Sequence, residues 1–280
     1  MSAIRALVLT GCGIHSEEET AAGYRLAGAE AHVVHIGRLL RGEIRVERFD
    51  VVHIPGGFSF GDDLGAGRAL ANRMRARRIP GGGTLLDGLG RVTADGGMVV
   101  GICNGFQVLV QLGLVPNVGG RGEPEASLVS NSSGRFEDRW VRLRANARSP
   151  FRLWDEDRPL EAPVRHGQGR LVFRDDAVRD EVVRRGLDLF SYCDAAGVPT
   201  VLYPANPNGS PRGVAALCDP AGGAFGMMPH PENHLSAFVH PDWPRRRREQ
   251  GGGEEGDGVA VFRAVVRRVA ERKGLGGTER

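Results

Sequence analysis

The run Met98-Val99-Val100-Gly101-Ile102-Cys103-Asn104-Gly105-Phe106-Gln107 constrains the fold of this chain more than any other stretch. A short β-branched segment cut by a glycine reads as a buried strand. Asn104-Gly105 then leads into the helix-compatible Phe106 to Leu112, so Cys103 is expected on a tight strand-to-helix turn. Such a turn lifts a side chain out of the sheet. The helix N-terminus that follows favours negative charge at that point, and the backbone N–H of Asn104 is free to face an oxyanion. Gly101 and Gly105 permit the close packing of the bend. The competing reading of Cys103 is a buried small hydrophobe, which is what most free cysteines are.

A second segment, Met227-Met228-Pro229-His230-Pro231-Glu232, bears on that choice. His230 and Glu232 are two apart, so an extended backbone projects them to the same side, where a carboxylate can orient an imidazole and stabilise its cation. A nucleophilic thiol needs such a base. Read alone, His230 is equally a turn histidine between prolines, and Glu232 a carboxylate at a helix N-terminus.

The first half alternates strand and helix. Ile4 to Thr10 reads as a strand, and Ser16 with Glu19 as a capping box opening a helix to about Ala29. Ala31 to Ile36 and Val51 to Ile54 read as strands, Arg68 to Arg77 and Leu85 to Ala94 as helices, and Met98 to Ile102 as the strand feeding Cys103. This alternation predicts an α/β fold: a mostly parallel twisted sheet with helices on both faces and sites at the carboxyl ends of its strands. Gly56-Gly57 falls at such an end. Gly11-Cys12-Gly13 lacks the third glycine and helix opening of a dinucleotide fingerprint, and Cys12 is read as structural.

Beyond Val115-Pro116 the pattern turns strand-rich: Trp140 to Arg144, Pro163 to Arg165, Leu171 to Phe173, Thr200 to Tyr203, Gly213 to Leu217 and Ala224 to Met227. From Pro241 the chain is Arg-rich and then, over Gly251 to Gly258, a flexible loop by composition. Val259 to Arg272 is an amphipathic helix expected to pack back on the domain, and Gly274 to Arg280 is expected to fray.

With 280 residues, 41% of them hydrophobic, the chain can bury a full core. A charge of +3 from 37 basic and 34 acidic residues does not select nucleic acid, and Arg245 to Arg248 reads as a solvated face or partner contact. Cys12, Cys103, Cys193 and Cys218 have no CxxC spacing, against a zinc site or disulfide scaffold. No apolar run resembles a signal peptide or bilayer span, so the expected location is the cytoplasm.

The Cys103 elbow and Pro229-His230-Pro231-Glu232 resemble the two signatures of class I (triad) glutamine amidotransferases, on a flavodoxin-like fold. Pro55 to Asp62, Asn131 to Phe136, His166 to Arg170 and Tyr203 to Ser210 narrow the resemblance to the glutaminase subunits of phosphoribosylformylglycinamidine synthase, over roughly residues 4 to 240. The resemblance implies a triad of Cys103, His230 and Glu232, and an oxyanion hole at the N–H groups of Gly57 and Asn104. It implies glutamine contacts at Gly56, Phe58, Gln107, Asn131, Ser132 and Phe136, although Gln107 alone is equally a polar helix position. It implies hydrolysis of glutamine through a cysteine thioester, with ammonia passed to a synthetase subunit, PurL, together with the small protein PurS. ATP and magnesium would be used by that partner, and no cofactor or metal is expected in this chain, which has no Walker A sequence. Residues 1–240 would form the amidotransferase domain and 241–280 a loop and C-terminal helix packing on it.

Three features depart from the family pattern: Asn233 where arginine is usual, Gln168 for a frequent glutamate, and extra length at 73–95 and in the tail. Three alternatives stand beside this reading. Another triad amidotransferase should lack the Tyr203 to Ser210 run, and a non-catalytic binding subunit on the same fold would have lost Cys103, His230 or Glu232. A Cys-dependent hydrolase or chaperone-like member of the flavodoxin-like group would need neither Gln107 nor the Pro229 to Glu232 motif.

Overall fold

A computed structural model describes residues 3–120, 122–155, 157–250 and 253–275. The stretch expected to fray beyond Leu275, and Gly251-Gly252 of the expected loop, lie outside the described residues.

The chain runs β1 (Arg5–Thr10), α1 (Glu17–Leu26), β2 (Glu30–His35), α2 (Ile36–Leu40), β3 (Val51–Ile54), α3 (Arg68–Ala76), α4 (Leu85–Ala94), β4 (Met98–Ile102) and α5 (Asn104–Leu112). It continues through β5 (Ala126–Val129), β6 (Glu137–Ala145), β7 (Leu160–His166), β8 (Arg170–Phe173), α6 (Asp176–Arg185) and β9 (Phe190–Cys193). The last elements are β10 (Val214–Cys218), β11 (Ala224–Met227), α7 (Trp243–Gln250) and α8 (Gly258–Arg272). Nine strands form one sheet in the order β2-β1-β3-β4-β11-β10-β9-β6-β7, while β5 and β8 pair separately. From β2 to β11 the pairing is parallel, and from β11 to β7 antiparallel. The expected α/β sheet with an added strand-rich half is therefore present.

β4 lies between β3 and β11 and every one of its residues is buried, which is why its sequence is a continuous apolar run rather than an alternating one. Its register pairs Gly101 with Ile54, and Ile102 with Met227. Cys103, the Gly56-Gly57 loop and the His230 turn therefore leave the sheet side by side at one end, where the carboxyl edge of a parallel sheet gathers its loops.

Several expected elements differ. Ser16 has φ 64° in the left-handed region and its side chain caps nothing, so the Ser16/Glu19 box does not form. Glu17, Glu18 and Glu19 instead place negative charge against the first turn of α1, and Glu17 accepts a hydrogen bond from the Thr10 hydroxyl at 2.8 Å. A capping box does form between Thr84 and Asp87, opening α4. Thr200 to Tyr203 is not a strand: Val201, Leu202 and Tyr203 lie exposed in a loop. The Arg-rich run after Pro241 coils into α7, and α6 and β9 stand where no element was expected.

α8 packs back on α1, as its apolar stripe predicts. Phe262 meets Tyr24 edge-on at 5.0 Å and stacks on His53 at 6.2 Å, and a Cβ on Gly23 would lie 2.5 Å from that phenyl ring. The Tyr24 hydroxyl and His53 Nδ1 are 2.9 Å apart, and burial holds His53 down to about 3. This fixes a sign. His53 stays neutral in the fold but takes a proton in the unfolded chain below about pH 6.5, so its contribution is full above that pH. It is lost toward pH 3 at up to about 1.4 kcal/mol per pH unit. Thermal midpoints should fall on acidification below pH 6.5, and less steeply in His53→Gln; equal slopes in the two proteins would disprove the assignment.

Candidate active site

Cys103 sits between β4 and α5 at φ 51° and ψ −105°, a strained conformation for a non-glycine residue. The bend is held by the Cys103 N–H to the Met227 carbonyl at 2.8 Å and the Gln107 N–H to the Cys103 carbonyl at 3.1 Å. It also depends on Gly105, where a Cβ would stand 1.8 Å from the Ile54 carbonyl oxygen, so no larger residue fits between α5 and β3. The thiol is 5% exposed, and its Sγ lies 3.6 Å from the Arg165 carbonyl.

His230 and Glu232 come to the same place from the loop after β11. Glu232 Oε1 is 2.5 Å from His230 Nδ1, both side chains are buried, and Nε2 has no well-formed hydrogen bond among the described residues. Burial alone would lower the imidazole, but the Glu232 carboxylate and Cys103 outweigh it and raise His230 to about 10. Gly56 completes the enclosure, since a Cβ there would meet His230 Cε1 at 2.7 Å and Cys103 Cβ at 3.5 Å. The three residues that sequence reasoning paired are thus brought together.

The other expected residues divide into a buried scaffold and an exposed rim. Asn104 Oδ1 accepts from the Ser59 N–H at 3.1 Å, and its Nδ2 donates to Gln107 Oε1 at 2.9 Å. Gln107 Nε2 donates to the Gln168 carbonyl at 2.5 Å, and Gln168 Oε1 accepts from the Ala66 N–H at 3.1 Å. One chain of amides thus ties the glycine loop to α5 and to the 166–169 loop. Gly57 lies in that loop at φ 130°, flanked by bonds from His15 N–H to the Gly56 carbonyl and from Phe58 N–H to the Gly13 carbonyl, both 2.8 Å. Cys12, read as structural, is exposed beside it.

Asn131 is buried. Its Nδ2 donates to the Arg135 and His166 carbonyls at 2.8 Å each, while its Oδ1 accepts from the Gly169 N–H at 3.0 Å and lies 3.1 Å from His166 Nδ1. That amide orientation puts the imidazole proton on Nδ1. Burial, with the neighbouring His230, depresses His166 to about 3, so it remains neutral. Ser132 donates its N–H to the Asn208 carbonyl at 3.1 Å and is exposed. Phe58 and Phe136, 46% and 53% exposed, face each other at 6.4 Å.

Sequence reasoning missed Tyr192, whose phenol feels the charge of Cys103. Burial drives the Tyr192 phenol far above its ordinary value, with Cys103 adding to the rise, and Asn208 Nδ2 bonds that phenol at 3.1 Å. The Tyr203 to Ser210 segment held a usable signal, because Asn206, Asn208 and Ser210 bond one another and fold the loop inward.

The edge of β7 also escaped the sequence. Proline at 163 has no N–H to give, and the Pro163 carbonyl accepts from the His230 N–H at 2.8 Å. The Glu161 carbonyl accepts from His234 Nδ1 at 2.7 Å, and the Glu161 N–H donates to Asp257 at 2.9 Å. Alternation along a strand puts residues 161, 163 and 165 on one edge, so β7 carries the whole turn. A cleft of about 450 Å³ lies behind this turn, walled by Arg142, Glu161, His234 and Trp243, and touches neither Cys103 nor His230.

A protein-family profile described as "CobB/CobQ-like glutamine amidotransferase domain" matches residues 3–268. The subunit named PurQ of phosphoribosylformylglycinamidine synthase from Dehalococcoides mccartyi is 38% identical over 95% of this chain and 98% of its own length. The PurQ subunit of Methanococcus maripaludis is 37% identical over 87% of each chain. Among solved structures, one titled "Structure of PurLQS from Thermotoga maritima" aligns with a TM-score of 0.67 at 25% identity, covering 95% of this chain and 99% of the other. On the buried cysteine, histidine and glutamate, the fold that gathers them, and identity along nearly the full length, this chain belongs to the glutamine amidotransferase family of the PurQ subunits.

Proposed function

We propose that this chain is the glutaminase subunit of phosphoribosylformylglycinamidine synthase, releasing ammonia from glutamine for use by a separate synthetase chain. The observation that carries the chemistry is the enclosed Cys103–His230–Glu232 group, with an imidazole held cationic by its carboxylate.

In the mechanism these residues support, Cys103 turns from the Arg165 carbonyl toward Nε2, the single proton the pair shares resides on His230 as imidazolium, and the Cys103 thiolate attacks the side-chain amide carbon of glutamine. Backbone N–H groups of Gly57 and Asn104 receive the oxyanion; that of Asn104 is available because the first N–H groups of a helix have no intrahelical partner. The imidazolium returns its proton to the departing ammonia. Water, deprotonated by His230, then cleaves the γ-glutamyl thioester to glutamate and restores the thiol. Glu232 holds the imidazole in one tautomer and stabilises its cation throughout.

Glutamine would lie against Gly56 and Gln107 and under the Phe58 and Phe136 rim, with Ser132 at its far end. Asn131 serves this site by bracing the 131–136 and 166–169 loops, since its amide is already engaged on both sides. The synthetase partner corresponds to PurL, with PurS as a third component, and ATP and magnesium belong to that partner. A cytoplasmic location fits this assignment, and among the described residues no helix is long and apolar enough to cross a membrane.

Coupling to the partner is the testable part. Glutamate release should be slow from the chain alone and rise when PurL, PurS, ATP, magnesium and formylglycinamide ribotide are supplied. Full turnover by the isolated chain, unchanged by those additions, would refute the coupling.

A further inference from the structure

The tail returns to the active site from behind. Residues 254–256 pair with 235–237: the Ala237 N–H donates to the Glu254 carbonyl at 2.8 Å, and the Gly256 N–H to the Leu235 carbonyl at 3.0 Å. The next residues press on the catalytic turn itself. A Cβ on Gly258 would stand 1.8 Å from the Pro231 carbonyl oxygen, and one on Gly256 would stand 2.2 Å from that of His234. Between these glycines the Asp257 carboxylate accepts from the Glu161 N–H at 2.9 Å and from both terminal nitrogens of Arg158, at 3.0 and 2.7 Å. The turn Pro231–His234 is therefore held on one side by the edge of β7 and on the other by the tail.

We propose that Asp257, with Gly256 and Gly258, is a positioning element for the catalytic histidine: the segment clamps the Pro231–His234 turn onto β7 and so sets where His230 meets Cys103. The inference rests on reading His230 as the base of Cys103. The carboxylate anchors the segment to the strand that also bonds the His230 N–H, and the glycines let two backbones approach closer than any side chain allows. A region that composition alone reads as a flexible linker thereby acts as a brace.

The test uses the full chain and alkylation of Cys103 by iodoacetamide, followed on the Cys103 peptide across pH, because this reads the thiol–imidazole pairing without any partner. Gly258→Ala and Asp257→Ala are compared with Gly253→Ala, a tail position with nothing within 4 Å of an added Cβ. Both should slow alkylation at neutral pH about tenfold and lower the kcat for glutamine in the assembled complex about 10- to 100-fold, the scale of a 1 Å misplacement. KM should stay within about twofold and Gly253→Ala should match wild type. Asp257→Asn keeps an acceptor for the Glu161 N–H and should recover most of the loss; if Gly258→Ala does not fold, this pair carries the test. Wild-type alkylation and kcat in Asp257→Ala would overturn the clamp alone. A wild-type profile already that of an unassisted thiol would overturn the reading of His230, and the clamp with it.

Discussion

Cys103→Ala is expected to lower glutamate release from the assembled complex about 10⁶-fold, the loss seen when a triad is deprived of its nucleophile. The reason is local. Sulfur is the one group at the junction of β4 and α5 that can form the thioester, while Cys193 and Cys218 lie buried, with burial raising both thiols. The thermal midpoint should move by only about 2–4 °C, because one sulfur atom is removed from a site the glycines already shape. Ammonium salts supplied in place of glutamine should still support product formation by the partner, separating a lost nucleophile from a lost complex. An alanine variant as active as wild type would eliminate the mechanism.

Glu232→Gln carries the second large effect. The carboxylate overcomes the burial that would otherwise discharge His230, so the imidazolium persists to about pH 10 and the basic limb of kcat/KM should lie there. Without the charge that limb should move down by roughly 1–3 pH units, and kcat should drop about 10²- to 10⁴-fold. Stability moves with a definite sign. A histidine raised in the fold contributes fully below its unfolded value near 6.5 and loses that contribution as pH rises toward 10. Wild type should therefore lose stability across that window, and Glu232→Gln should show a flatter dependence. Identical basic limbs in the two proteins would show that Glu232 does not govern His230.

The parallel half of the fold was legible because buried parallel strands must be continuous apolar runs: β3 and β4 stand at the residues read from Val51 to Ile54 and Met98 to Ile102. The triad was legible for a related reason, since a nucleophile elbow needs small residues around its thiol and a base needs a carboxylate in reach. The antiparallel half was harder. Thr200 to Tyr203 has the composition of a strand, yet Val201, Leu202 and Tyr203 turn outward. α6 hid because its apolar contribution is Val178 and Val182 amid charged residues, and isolated periodicity of one pair cannot be told from a polar loop. Ser16 and Glu19 match the capping pattern, but Gly11, Cys12 and Gly13 steer the chain through positive φ and deliver Ser16 in the wrong conformation to cap. The support of His230 by β7 and Asp257 depends on contacts about 67 and 27 residues away along the chain, and no local pattern encodes such contacts.

The edge of β7 has one more consequence, for solubility. The last strand of an open sheet ordinarily offers a row of unpaired carbonyls and N–H groups to any other extended chain, and proteins must blunt that row to avoid edge-to-edge aggregation. Here Glu161 bonds the tail and His234, Pro163 has no N–H and gives its carbonyl to His230, and the Arg165 carbonyl faces the thiol. The residues that assemble the catalytic turn thereby withdraw this edge from intermolecular pairing, so a change that frees the turn exposes a sticky strand at the same moment that it disables the enzyme.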